Sequence, residues 1–165
     1  MPILDKHTVE FLSRSPEQTR RVGIRLGSLL HVGDLICLQG ELGAGKTTLV
    51  QGVAQGWGST DAVSSPTFVL VNVYRKPEGT RLFHLDCYRI DSAAEAEELD
   101  FETMLAQGPL VIEWPDRIQP ILPENRLSIG LEYTDDTQRE MRIRASGPRY
   151  DELLTDLRES AFGVP

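Results

Sequence analysis

One stretch limits the folds open to this chain more than any other. Gly40-Glu41-Leu42-Gly43-Ala44-Gly45-Lys46-Thr47 fits G-x-x-x-x-G-K-[ST] at every position. The pattern has physical meaning only between a buried strand and a helix. Leu35–Gln39 supplies an apolar strand, and the helix starting at Lys46 turns Leu49, Val50, Val53 and Ala54 inward, with Gly56 placed to end it. The glycines let successive backbone N–H groups converge on one anion, and the positive end of the helix faces the same charge.

The loop therefore predicts a nucleoside phosphate, ATP or ADP with Mg²⁺. Residues 41–48, from Glu41 and Leu42 through Gly43, Ala44, Gly45, Lys46 and Thr47 to Thr48, form the cradle. Lys46 serves as a mobile positive charge for the β- and γ-phosphates, and the Thr47 hydroxyl suits the metal.

Around the loop, strand-like and helix-like runs alternate, which points to an α/β layered domain. His7–Ser13 reads as a strand. Ser15-Pro16-Glu17-Gln18 opens a helix with a capping serine, proline at the first position and a glutamine three residues on. Phe68–Tyr74 and Arg81–Tyr88 read as a hairpin, Ser92 and Glu95 cap a helix running to about Leu105, and Leu110–Ile112 is a short apolar strand ending at Glu113. Pro115, Pro120 and Pro123 make the next segment irregular. Arg126–Tyr133 and Arg139–Ala145 alternate as a hairpin at a sheet edge. A helix over Tyr150–Glu159 precedes a frayed Ala161–Pro165. At 165 residues the chain suits one domain, residues 1–165.

The net charge of −8 argues against a surface that wraps nucleic acid, so a polyanion is expected to reach the protein through a partner. Two cysteines, Cys37 and Cys87, lie in strand-like runs without a disulfide spacing. No leader and no membrane span are read, so the expected compartment is the cytoplasm.

Hydrolysis needs an acid beside the loop. Glu113 and Asp86 both end apolar runs, where parallel strands deliver carboxylates to a ligand. Glu113 is favoured on the magnesium side, and Asp86 acts through water or as a base; either could instead cap a turn. Thr67, in Ser64-Ser65-Pro66-Thr67-Phe68, is a candidate hydroxyl near the γ-phosphate, equally readable as a Ser-Pro turn. Trp114 either lies near the nucleotide or packs under the prolines. His84 reads as a structural histidine, and the acidic run Glu95–Glu98 as a solvated helix face or a docking surface.

With these residues in place, the sequence resembles the bacterial TsaE (YjeE) proteins. The blocks are residues 40–48, Ser65-Pro66-Thr67-Phe68, His84-Leu85-Asp86-Cys87-Tyr88-Arg89 and Glu113-Trp114-Pro115. The resemblance implies a P-loop NTPase-like three-layer sandwich with a mixed, mainly parallel central sheet and antiparallel edge hairpins. It implies a magnesium-dependent ATPase supporting threonylcarbamoyladenosine modification of tRNA, slow alone and coupled to a TsaB–TsaD complex, so that tRNA is met only through partners. It gives Lys46, Asp86 and Glu113 catalytic positions, Thr47 and Glu113 the metal, and places Thr67 and Trp114 around the nucleotide. One departure is Glu97-Glu98-Leu99-Asp100-Phe101, where the family commonly has glycine near Asp100. A small-molecule kinase would share the loop, but only Arg117 could serve as a remnant of an arginine-rich lid. A nucleotide-dependent interaction module with little turnover is the other alternative.

Overall fold

The computed structural model describes residues 3–41, 43–63 and 71–162. Its strands are β1 Ile3–Asp5, β2 Thr8–Ser13, β3 Leu35–Gln39, β4 Val71–Arg75, β5 Arg81–Asp86, β6 Leu110–Glu113, β7 Arg126–Tyr133 and β8 Arg139–Ser146. Its α-helices are α1 Pro16–Leu29, α2 Lys46–Trp57, α3 Ala93–Glu97, α4 Phe101–Gln107 and α5 Pro148–Phe162, with a 3₁₀ helix at Pro115–Ile121. The strands form one sheet in the order β1-β2-β8-β7-β3-β6-β5-β4.

The sheet is parallel where the phosphate loop needs it. β3 pairs in parallel with both β6 and β7, and β5 with β6. Its flanks are antiparallel. Alternation along β3 divides the core: Ile36 and Leu38 join the cluster under α1, α2 and α5, while Leu35 and Cys37 join Met104 of α4 and Ile118 of the 3₁₀ helix on the opposite face. Three layers result, with the loop leaving the carboxyl end of the central strand.

The structure departs from the sequence pattern at the edge hairpin, the acidic helix and the end of α2. The hairpin β7–β8 is not at an edge, because β2 pairs with β8 and β1 with β2. The helix expected from Ser92 to Leu105 is two helices. Ser92 Oγ does accept from the Glu95 N–H at 3.2 Å, but the chain breaks at Asp100, whose φ of 53° is left-handed. Asp100 then caps α4 by accepting from the Thr103 N–H and hydroxyl. A glycine would adopt that backbone freely, which gives the departure at Asp100 a structural meaning. At the carboxyl end, Ala161 and Phe162 belong to α5.

Gly56 does not end α2; Gly58, at φ 111°, does. Gly56 has another task. A Cβ there would stand 1.9 Å from the Ile24 carbonyl oxygen, and one at Gly27 would stand 2.1 Å from that of Val53. Gly23 and Gly52 are equally confined, against Leu49 and Arg20. Two G-x-x-x-G stretches thus interlock, bringing the α1 and α2 backbones into direct contact. Each helical glycine costs about 0.8–1.0 kcal/mol relative to alanine, so the close contact offsets roughly 4 kcal/mol of lost propensity. The contact fixes α2, and with it the loop at its start.

Candidate active site

Gly43 and Gly45 take φ values of 83° and 99°, a backbone that residues with a Cβ rarely adopt. With them the loop curls so that the Ala44 N–H reaches the Glu41 carbonyl at 3.0 Å and α2 begins at Lys46. Ala44 points its methyl into the core. Lys46, Thr47 and Thr48 face a cavity of about 270 Å³ together with Gly43, Gly45, Asp86, Glu113 and Trp114.

Parallel pairing sets the acids side by side, since Asp86 at the end of β5 is the register partner of Glu113 at the end of β6. Glu113 is nearly fully buried. Its Oε1 lies 3.8 Å from Lys46 Nζ, and its Oε2 lies 2.5 Å from His84 Nε2. The Lys46 ammonium also lies 4.1 Å from the centre of the Trp114 ring, yet it is buried without a hydrogen-bond partner. Burial pushes Lys46 below the usual lysine range, against the pull of the Glu113, Asp86 and Asp116 carboxylates. Burial pushes Asp86 upward, and the charge on Glu113 adds to the rise, while the Tyr88 N–H bonded to Asp86 opposes it.

Trp114 has φ 58°, left-handed for a bulky residue. Its N–H reaches the Leu38 carbonyl at 3.3 Å, and its ring packs 5.0 Å from that of Tyr88. Such backbone outliers cluster at ligand sites. Here the turn carries the indole over Lys46 and starts the 3₁₀ helix.

Among the sequence-predicted residues, Gly43, Gly45, Lys46, Thr47, Thr48, Asp86, Glu113 and Trp114 share the cavity. Glu41 is exposed and lines a neighbouring depression with Tyr133 and Leu131. Leu42 and Thr67 lie outside the described residues. Pro16 and Thr19 of α1, and Thr137 and Arg139 at the β7–β8 turn, complete the lining. Sequence reading passed over all four. Arg139 Nη2 donates to the Gly43 carbonyl at 3.0 Å, its guanidinium sits 4.5 Å from the Tyr133 ring centre, and its Nε is buried without a partner. Arg117, the candidate lid remnant, instead lies over the Tyr88 ring at 5.8 Å.

The donor set fits magnesium. No group of three or more His, Cys, Asp or Glu suited to a metal occurs among the described residues. A hydroxyl and one or two carboxylates leave coordination sites for phosphates and water, as Mg²⁺ prefers. The Lys46 ammonium, buried with no hydrogen-bond acceptor, supplies the matching demand for phosphate oxygens.

The family model for threonylcarbamoyl adenosine biosynthesis protein TsaE matches residues 13–141. This chain belongs to the TsaE family. Relatives named tRNA threonylcarbamoyladenosine biosynthesis protein TsaE include one from Bacillus subtilis, 38% identical over 87% of this chain and 89% of its own length. Another, from Streptomyces coelicolor, is 39% identical over 79% of this chain and 93% of its own. The crystal structure of Bacillus subtilis YdiB is similar with a TM-score of 0.78 and 32% identity, covering 92% of this chain and 95% of that one. The TsaE family has a nucleotide-binding P-loop fold, and the mixed sheet here, parallel at its centre, agrees with it. No helix among the described residues is long and apolar enough to cross a membrane.

Proposed function

We propose that this TsaE-family chain is a magnesium-dependent ATPase, with residues 1–165 acting as one domain. In the cytoplasm it would drive or reset a TsaB–TsaD-type complex that makes threonylcarbamoyladenosine on tRNA. The observation that carries the reading is the buried ammonium of Lys46, which makes no hydrogen bond and has the Glu113 carboxylate at 3.8 Å, set between the loop and two register-paired carboxylates. A triphosphate supplies the hydrogen-bond acceptors that this ammonium lacks.

In this reading residues 41–48 cradle the phosphates, with Lys46 on the β- and γ-oxygens. Thr47 and Glu113 would hold Mg²⁺, which would supply positive charge to neutralise the phosphates. Asp86 stands beside Glu113 with its carboxyl pushed up by burial, a state suited to receiving a proton from water. Trp114 covers the ammonium, and Thr67 contributes from the preceding segment. Contact with tRNA runs through the partner complex, in keeping with the net charge of −8.

A second reading, a nucleotide-dependent module with little turnover, draws on one observation. Lys46 is already engaged by Glu113 and Trp114, so a phosphate must compete for it.

Phosphate release from ATP decides between them, measured with and without Mg²⁺ and with and without a purified TsaB–TsaD complex. Stimulated release that disappears in Lys46→Ala and Glu113→Ala supports the ATPase. Tight ADP binding with release unaltered by the complex supports the module, and a phosphorylated metabolite in place of free phosphate supports a kinase.

A further inference from the structure

Behind Glu113 runs a row of hydrogen bonds that the nucleotide reading leaves unused. Glu113 Oε2 meets His84 Nε2 at 2.5 Å, and His84 Nδ1 meets the Tyr74 hydroxyl at 2.9 Å. The Asn72 amide donates to that hydroxyl at 3.5 Å. Tyr74, His84 and Glu113 are all nearly fully buried. The row crosses three adjacent strands on one face of the sheet, from β4 at the edge through β5 to β6.

A carboxylate only accepts, so Nε2 carries the proton facing Glu113. In the neutral imidazole Nδ1 then accepts from the Tyr74 O–H, whose oxygen accepts from the Asn72 amide. Glu113 is left with Oε2 committed and Oε1 turned toward Lys46 and the cavity.

Resting on the assignment of Glu113 to the magnesium side, we infer that His84 is the positioning residue that fixes the orientation of the Glu113 carboxylate, holding one oxygen so that the other is presented to the metal, and that Tyr74 sets the imidazole tautomer. A strand-end glutamate has three rotatable bonds and can otherwise swing its carboxylate out of the site. The imidazole removes that freedom. Partners of this kind, one step behind a metal ligand, are worth about 10–100-fold in metal affinity or activity.

The test uses full-length protein and reads three quantities. The first is the imidazole ¹⁵N–¹H correlation spectrum without nucleotide, where His84 is expected as the Nε2–H tautomer. The second is ADP affinity in EDTA, expected within about twofold of wild type in Tyr74→Phe, His84→Gln and His84→Ala. The third is the Mg²⁺ concentration that half-saturates the magnesium-linked gain in affinity. It should rise about 10–100-fold in His84→Ala, less in Tyr74→Phe, and recover partly in His84→Gln, whose amide can still donate. In a Glu113→Gln background, adding Tyr74→Phe should bring no further rise, whereas a purely structural role gives additive losses. Tyr74→Phe keeps the ring volume and guards against a folding artefact.

An Nδ1–H tautomer, or an unchanged Mg²⁺ half-saturation in folded His84→Ala, overturns the assignment while leaving the nucleotide reading standing. Wild-type protein that binds ADP with no magnesium linkage removes the inference together with the magnesium role of Glu113, and leaves nucleotide binding by the loop standing. Wild-type protein that binds no ADP removes the inference and the nucleotide reading alike, and shows that the failure lies in the phosphate loop.

Discussion

Arg139 donates from Nη2 to the carbonyl oxygen of Gly43 at 3.0 Å, joining two residues 96 positions apart at the mouth of the phosphate loop. The contact places a permanent positive charge at the loop's edge of the cavity that Lys46 also lines, and the Tyr133 ring centre lies 4.5 Å from the guanidinium. Its Nε remains without a partner. Arg139→Ala should therefore weaken ADP binding about 10–100-fold, the worth of a charge-assisted hydrogen bond. Arg139→Lys should recover only part, because an ammonium cannot reproduce the fork. Titration calorimetry would measure both, and ADP affinity within twofold of wild type in Arg139→Ala would show that the guanidinium serves only the loop.

Lys46 carries a pH signature. Its pKa is lowered by burial while the site is empty, and bound phosphates would raise it again. Affinity is thus full below the empty-site pKa and falls as pH rises through it, at a lower pH than an ordinary lysine would allow. ADP affinity measured in EDTA from pH 7 to about pH 10 should show that decline, and Lys46→Ala should bind more than about 100-fold more weakly at pH 7. A flat profile in wild-type protein would mean that the ammonium does not carry the phosphate contact.

The loop between β3 and α2, the placement of Asp86 and Glu113 at strand ends, and the order of central elements were legible in the sequence because each is local. Gly40–Thr47 is contiguous, and Asp86 and Glu113 stand at the ends of apolar runs that read as strands. The cavity wall made by Pro16, Thr19, Thr137 and Arg139 was not legible, since it depends on which strands lie side by side. Arg139 follows a turn, and only the pairing of β7 with β3 brings that turn to the loop. His84 carried a visible signal, a histidine between Phe83 and Leu85, but its meaning depended on Glu113 arriving 29 residues later on the neighbouring strand. Gly56 was misread because one glycine suits a helix end and a helix contact equally well. The pairing of Gly52 with Gly56, and of Gly23 with Gly27, was the available clue.

The interlocked glycines should be among the least tolerant surfaces of the molecule. Gly56→Ala puts a methyl 1.9 Å from the Ile24 carbonyl, which is backbone and cannot turn aside. Overpacking of this kind costs about 1–3 kcal/mol or more, despite the better helix propensity of alanine. Gly130→Ala is the control, as nothing lies within 4 Å of its added methyl. Urea unfolding should show a marked loss for the first and almost none for the second. Equal stability of the two variants would mean that α1 and α2 separate at little cost.

Arg149 ties α5 to the start of β3 through Asp34. The buried Asp34 carboxylate accepts from the His31 N–H at 2.7 Å and from Arg149 Nη2 and Nε at 2.7 and 3.0 Å. Arg149 also caps α1 by donating to the Leu29 carbonyl at 2.9 Å, and the neighbouring Tyr150 hydroxyl accepts the Leu35 N–H at 2.8 Å. Arg149→Met removes the guanidinium and leaves a buried charge with one backbone donor. Breaking one side of such a pair costs about 3–5 kcal/mol when both groups are buried, and less here because Arg149 is partly exposed. A loss of about 2–3 kcal/mol in urea unfolding at pH 7 is expected. Asp34→Asn with Arg149→Met should be more stable than Arg149→Met alone, because a neutral amide needs no counter-charge. If the double variant is the weaker of the two, the Asp34 carboxylate is held by its backbone and solvent contacts, and Arg149 acts on stability through α1 alone.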